Sequence, residues 1–257
     1  MNTDGTFDIL DIIATIDCII NDCWIEFIFA CIDPGANNYH PYSYQDDGRC
    51  EYNDIDGNIY NSIIIGEQRW MVQNLRVTHY RNGDDILLVT ENSEWGLLST
   101  GAYSYYGNIP EFIDTYGNIY NWYAVGDDRQ ICLEGWHVPN QEEYQILVDY
   151  LGGTKNAGGA LKSTGTIEGG DGLWYEPNTG ATNTSGFNAF PGGWRGYYEG
   201  GSFNFMGNLG MCWSSSEFYL SDVYAWYLLL HYDDSGGIVT WSDKIRGYSV
   251  RCMRDAD

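Results

Sequence analysis

The sequence predicts an α+β protein built mostly of short strands and long loops, with few helices. Three observations carry this. The runs Gly186–Arg195, Trp213–Glu217 and Tyr248–Cys252 alternate large aromatics with Gly, Ser and Asn, as loops and short strands that display side chains do. Only one stretch, after Trp136-His137-Val138-Pro139, has a clear amphipathic helical period. Seven cysteines mark a module stapled in an oxidising compartment.

Bulk composition narrows the function classes. Apolar residues make up 44% of the 257, enough for a core, and 22 Tyr and 10 Trp supply rings for core and surface alike. The net charge of −24 repels nucleic acid and anionic lipid, so neither is an expected partner. An odd number of cysteines leaves at least one free or paired between chains. Met1 is followed at once by Asn-Thr-Asp-Gly, with no signal-peptide pattern, so a C-terminal piece of a longer secreted protein is expected. The apolar stretch from Ile9 to Cys31 is interrupted by Asp11, Asp17, Asn21, Asp22 and Glu26, which argues against a membrane span.

Three segments follow. Residues 1–30 open with Asn2, Asp4, Asp8 and Asp11 at the third, fifth, ninth and twelfth places of an EF-hand loop. Thr6 lies between them, and Gly5 holds the sharp-turn place. The first ligand position falls before Met1, and the same residues also suit a capped helix start with an acidic first turn. An apolar helix over Ile12–Ile20 follows. The stretch resembles half of a dockerin repeat, which implies Ca2+ held by Asn2, Asp4, Thr6, Asp8 and Asp11. Residues 31–52 run from Cys31-Ile32-Asp33-Pro34 to Asp46-Asp47-Gly48-Arg49-Cys50. They resemble a short repeat of secreted Bacteroidetes proteins, which implies a Cys31–Cys50 disulfide.

Residues 53–257 form the main domain. Asp54–Asn61 reads as a turn feeding a β-branched strand that continues to Met71, and Gly-Asn-Ile-Tyr-Asn recurs at 57–61 and 117–121 as a repeated hairpin turn. Asn140 is an N-cap, Glu142 and Glu143 follow in the first turn, Tyr144, Leu147, Val148 and Leu151 make the apolar stripe, and Gly152-Gly153 ends it. Short strands and long loops complete the chain.

Several strings in this domain resemble the major paralogous domain of Fibrobacter succinogenes. They are Asp56–Tyr60, Trp70–Leu75, Tyr120–Val125, Gly135–Pro139, Asn178–Asn183, Gly186–Gly193, Trp213–Glu217 and Ser249–Cys252, in family order. The resemblance implies a C-type-lectin-like fold with a small twisted mixed sheet, one or two helices and long loops. It also implies a Cys132–Cys252 disulfide, although Leu133-Glu134 stands where the family has Pro. Cys212 occupies a place where an aromatic is expected and reads as a packed free thiol. Cys18 and Cys23 are spaced to close a small loop.

Catalytic chemistry finds no support. His40, His79, His137 and His231 lack metal spacing, Ser214-Ser215-Ser216 lacks a nucleophile elbow, and Asp233-Asp234 lies in a turn. The strongest functional candidate is Phe218–Ser242. In the strand Ala225–Tyr232, inward Trp226, Leu228 and Leu230 would leave Tyr227, Leu229 and His231 facing out, joined by Tyr219, Tyr224, Asp233, Asp234 and Trp241. The expected function is a secreted or cell-surface, non-enzymatic binding or adhesion protein for a glycan or protein ligand. The rival is a structural subunit of an extracellular assembly, a homo-oligomer joined through residues 12–30. Titration calorimetry is expected to show calcium-binding heat at millimolar concentration; a flat trace removes calcium from the first segment.

Overall fold

The computed structural model describes residues 30–43, 45–197 and 201–256. The calcium-loop residues Asn2, Asp4, Thr6, Asp8 and Asp11, the helix over 12–20, Cys18 and Cys23, and all but the last residue of the 12–30 oligomer segment lie outside them. The chain divides into two units at Tyr52 and Asn53.

In the first unit Cys31 and Cys50 form a disulfide with Cα atoms 4.9 Å apart. So small a segment has little core, and closing a loop of this length contributes about 3 kcal/mol in the chain-entropy account. Polar side chains stand in for secondary structure. Buried Asp33 accepts from Gly35 N and from the Tyr52 hydroxyl, while Asn38 donates to Arg49 O and accepts from Glu51 N. Asp46 and Asp47 each accept a backbone N–H two residues ahead, which makes them turn formers.

The second unit is mostly sheet with a few short helices. Its strands are β1 (Ile59–Ile65), β2 (Gln68–Met71), β3 (Leu87–Leu88), β4 (Ala102–Ser104), β5 (Ile119–Asn121), β6 (Trp194–Arg195), β7 (Phe203–Asn204), β8 (Leu209–Glu217), β9 (Tyr224–His231), β10 (Gly237–Asp243), β11 (Gly247–Tyr248) and β12 (Met253–Asp255). Its α-helices are α1 (Asn92–Trp95), α2 (Ile113–Tyr116), α3 (Trp122–Val125), α4 (Gln141–Tyr150) and α5 (Ala157–Leu161). Three small sheets replace the single mixed sheet that was expected. β1, β2 and β12 are neighbours in that order; β8, β9 and β10 form an antiparallel meander; and β3-β4-β5-β11-β6-β7 run side by side, with β3 and β4 parallel.

The strand expected to continue through Met71 instead turns back at Gly66-Glu67, so that Ile65 faces Gln68 and Ile63 faces Trp70. β12 then pairs with β2, Met253 opposite Trp70, bringing the last strand back to the early part of this unit. Cys132–Cys252 locks the same place, with Cα atoms 6.0 Å apart, and His137 and Met253 exchange backbone hydrogen bonds beside it. In the repeated Gly-Asn-Ile-Tyr-Asn string, Gly57 (φ 81°) and Gly117 (φ 74°) both lead into strands. The second copy ends α2 rather than turning a hairpin, because Gly117 N caps Ile113 O.

α4 forms as its sequence dictates. Asn140 accepts from Glu143 N, Glu143 accepts from Asn140 N, and Tyr144, Leu147 and Val148 are buried. Trp70 lies between Tyr144 and Phe187, each with ring centroids 5.4 Å away, and Leu161, Trp174, Leu228, Leu230 and Met253 complete this core. α5, which the sequence pattern does not announce, contains Gly158 and Gly159. A Cβ on either would fall 1.9 Å from Gly236 O or 2.4 Å from Gly180 O, so only glycine lets these backbones meet.

Cations, half-buried Arg81 and buried Arg195, Arg251 and Lys162, hold the loops. Arg81 donates to the carbonyls of Cys132, Leu133 and Trp136. Arg195 donates to Val89 O, Thr90 O, Gly201 O and the Asn92 side chain. Arg251 donates to Phe187 O and the Asn74 amide oxygen. Lys162 Nζ donates to Thr179 O, His231 O and Asp234 O at 2.9, 2.9 and 2.8 Å.

Replacing Cys132 and Cys252 by Ser is expected to lower stability by about 4–5 kcal/mol in urea unfolding, because the loop closed is long; a loss under about 1 kcal/mol would mean the β2–β12 pairing alone closes the domain. A second expectation concerns pH. The hydrogen bond to the Glu143 carboxylate raises the His137 pKa above 6.5 despite partial burial. Burial pushes the Glu143 carboxyl up, but its hydrogen bonds from His137 and Asn140 outweigh this and hold it low. The His137 contribution is therefore complete below its unfolded value and is lost as pH rises through the raised folded value. Between about pH 6 and about pH 9 the melting temperature of His137→Gln should fall less than that of the wild type; parallel curves would remove the pair from the pH response.

Candidate functional site

The meander β8-β9-β10 carries every candidate binding residue, and its register decides where each one goes. On β10, Trp226 faces Trp241 and Tyr224 faces Asp243. On β8, Ala225 faces Glu217 but Tyr227 already faces Trp213, so Ser214–Ser216 bulge out opposite Trp226 alone. The three serines bond outside the ladder. Ser214 O accepts from Trp122 Nε1, Ser215 N donates to Pro139 O, and Ser216 Oγ accepts from Gln141 N at the start of α4. The bulge anchors β8 to the helix.

It also breaks the alternation expected of β9. Tyr227, expected outside, is 8% exposed. Its ring centroid lies 4.8 Å from Tyr248 and 6.1 Å from Trp213, and burial raises its hydroxyl pKa. Trp226, expected inside, is only half-buried. Leu228 and Leu230 do face the core, with Leu229 and His231 half-exposed between and after them. The middle of the strand is thus covered on both faces.

The remaining candidates separate to the two ends of β9, roughly 20 Å apart at about 3.3 Å per residue. At the far end His231 Nδ1 bonds Asp233, and Asp234 Oδ1 accepts from Gly236 N. The His231 and Asp234 carbonyls bind Lys162, so this end is a stapled turn. At the near end Tyr219, Tyr224 and Trp241 come together around two rings the sequence reading left out, Phe218 and Trp226. Phe218 stacks on Trp241 with centroids 4.8 Å apart and lies 5.1 Å from Tyr219 and 5.5 Å from Trp226; Tyr224 is 4.9 Å from Trp241. The consecutive apolar run Phe218-Tyr219-Leu220, set between Glu217 and Ser221-Asp222, is the sequence signal that could have found Phe218.

This platform is open to solvent. Tyr219 is 79% exposed, Leu220 71%, Val223 51% and Trp241 44%. Its backbone is nevertheless fixed. Phe218 N donates to Tyr224 O, Ser221 N to Phe218 O and Lys244 N to Val223 O. Buried Lys244 pairs with Glu217 at 3.1 Å and sits 4.3 Å over the Trp122 ring. Rigid exposed rings make contact area at low entropy cost.

Of the other groups singled out in the sequence, Cys212 is a free, buried thiol whose pKa burial raises. Among the described residues no group of three His, Cys, Asp or Glu side chains is placed to hold a metal ion, and no helix is long and apolar enough to cross a membrane. A family model described as the Fibrobacter succinogenes major domain matches residues 63–254. Neither a curated protein nor a solved structure matches the chain.

Proposed function

We propose, from the premise that the chain belongs to the Fibrobacter succinogenes major domain family, that it is a secreted or cell-surface binding protein without catalytic activity. Its domain is of C-type-lectin-like design, and it holds a glycan or protein ligand on the platform of Phe218, Tyr219, Tyr224, Trp226 and Trp241. The observation that carries this reading is the exposure of Tyr219 and Leu220, on a loop pinned by backbone hydrogen bonds at both ends, beside exposed Trp241 of β10. Folding alone gives no reason to keep large apolar side chains in water on a fixed loop, whereas contiguous patches of this kind mark interaction sites. The two disulfides fit an extracellular module. The rival reading, self-assembly through residues 12–30, gains no observation from the described residues.

The test is a glycan and protein array screened with the wild type and with Tyr219→Ala/Trp241→Ala. The double variant should lose at least about tenfold in affinity with its melting temperature nearly unchanged. Tyr227→Ala should instead destabilise the fold by about 3–5 kcal/mol, as truncating a buried aromatic does. Array binding that survives the double variant would move the site off the platform.

A further inference from the structure

We infer that the cleft lined by Trp194 and Phe205 is a second binding site, built to hold one neutral six-membered sugar ring against these two rings. It shares no residue with the aromatic platform and does not depend on it. The cleft has a volume of about 230 Å³ and is lined by Trp194, Tyr197, Ser202, Asn204, Phe205 and Arg246. The planes of Trp194 and Phe205 are 9° apart, with ring centroids separated by 6.2 Å.

Phe205 is the residue that folding does not explain. Its φ of 63° is left-handed, a conformation that costs a bulky side chain free energy. The other non-glycine residues with positive φ are Asn108, Asn178, Asn183 and Asn188, whose short side chains tolerate it, and Gln130. Phe205 gains little burial in return, since 52% of it is exposed. Its neighbours fix the backbone. Asn204 pairs with Trp194 across β6 and β7, Asn208 N and Leu209 N donate to Phe205 O, and a Cβ on Gly193 would fall 2.3 Å from Asn204 O. A strained backbone holding an exposed ring parallel to a second ring is a signature of a site maintained for a ligand.

The walls define the ligand. With centroids 6.2 Å apart the two rings are too close for a sugar ring to enter between them, so the pair offers its open apolar surface to the C–H face of a flat ring lying against it. The guanidinium of Arg246 lies 4.7 Å over Trp194, and its Nε is 3.3 Å from the Asp243 carboxylate. The cation is thus balanced and acts as a hydrogen-bond donor at the rim without giving the cleft a net charge. Asn204 Nδ2 is held by Ser202 O and Oγ, which leaves its amide oxygen to accept. Apolar faces with donors and acceptors at the edge match a sugar ring and its hydroxyls. An acidic sugar would meet both a balanced Arg246 and the field of a chain of charge −24. A peptide would need a strand edge or a longer groove. The volume lies below the range of about 300–1,000 Å³ typical of drug-sized pockets, so the cleft takes a single ring of a longer chain.

The experiment titrates the full chain with cellohexaose, mannohexaose, an oligogalacturonate and a tyrosine-containing peptide of similar length. Tryptophan fluorescence and saturation-transfer NMR give the readout, on wild type, Trp194→Ala, Phe205→Gly and Tyr219→Ala/Trp241→Ala. A neutral hexasaccharide should bind in the millimolar range. Trp194→Ala and Phe205→Gly should each weaken it at least about tenfold, and the platform variant should leave it unchanged. Phe205→Gly should also melt at or above the wild-type temperature, because glycine adopts the left-handed backbone freely. The inference is overturned if neither neutral hexasaccharide binds, if the oligogalacturonate or the peptide binds more tightly, or if Phe205→Gly binds as the wild type does. A Phe205→Gly melting point several degrees lower would also overturn it, by making Phe205 a packing residue.

Discussion

Backbone carbonyls in long loops have no ladder partner, and in this protein buried arginines and lysines donate to them. The constraint is general: a buried carbonyl without a donor costs about 1–3 kcal/mol. A chain with short strands and long connections would accumulate many such groups. Lys162 answers three carbonyls with the three N–H bonds of its ammonium, although burial pushes its pKa down to about 8. Arg195 answers three carbonyls and an amide, between the rings of Trp95 and Phe203, with its pKa pushed down to about 10 by burial. A planar guanidinium carries five donors in a fixed fork where an ammonium carries three, which suits Arg81 and Arg195 to this duty. Losing such a cation would strand several carbonyls at once, a loss of the order of about 3–5 kcal/mol and so comparable with a disulfide.

These staples decide where the rest of the chain can lie. Lys162, the residue that caps α5, grips the turn after β9, Gly158 lets the same turn approach the helix backbone, and Gly159 does so for the loop at Gly180. Arg251, two residues before β12, reaches Asn74 and Phe187, so the strand that closes the domain is tied to the Trp70 core from the side. Cys132–Cys252 and the paired hydrogen bonds of His137 with Met253 complete the closure. The use of positive charge inside also shapes the outside. Arg69, Lys162, Arg195, Lys244 and Arg251 are all buried, which leaves few cations to offset the carboxylates at the surface.

What could be read from the sequence is what local chemistry decides. The N-cap, acidic first turn, apolar stripe and glycine stop of α4 lie within one short window, and the structure adds that Glu143 closes a capping box with Asn140. The disulfides follow from family-like spacing, which encodes a fold-level pairing in local strings. The misreadings have non-local causes. Alternation along β9 fails because the bulge at Ser214–Ser216 lies on a different strand, and nothing between Tyr224 and His231 announces it. α5 has two adjacent glycines, which oppose a helix by propensity and are present for close approach to Gly180 and Gly236. His231, Asp233 and Asp234 read as surface partners of Tyr219 because they share a segment, while the strand between them carries them to the opposite end.

The middle of β9 is covered on both faces, and the exposed part of β10 with the loop at the near end of β9 carries a cluster of rings, while the far end carries His231, Asp233 and Asp234. The platform around Phe218 keeps its only cation, Lys244, buried against Glu217 and Trp122. With 36 acidic against 12 basic residues, the protein's field attracts basic partners to most of its surface without distinguishing among them. Selectivity must therefore come from contacts that such a field does not set: ring faces, their fixed spacing, and hydrogen bonds at their rims. Contacts of that kind are little screened by salt, whereas the charged surface is screened over a Debye length of about 8 Å at physiological ionic strength. In the proposed reading the acidic surface and the uncharged aromatic face have separate tasks, the first repelling other anionic surfaces and the second contacting the ligand directly.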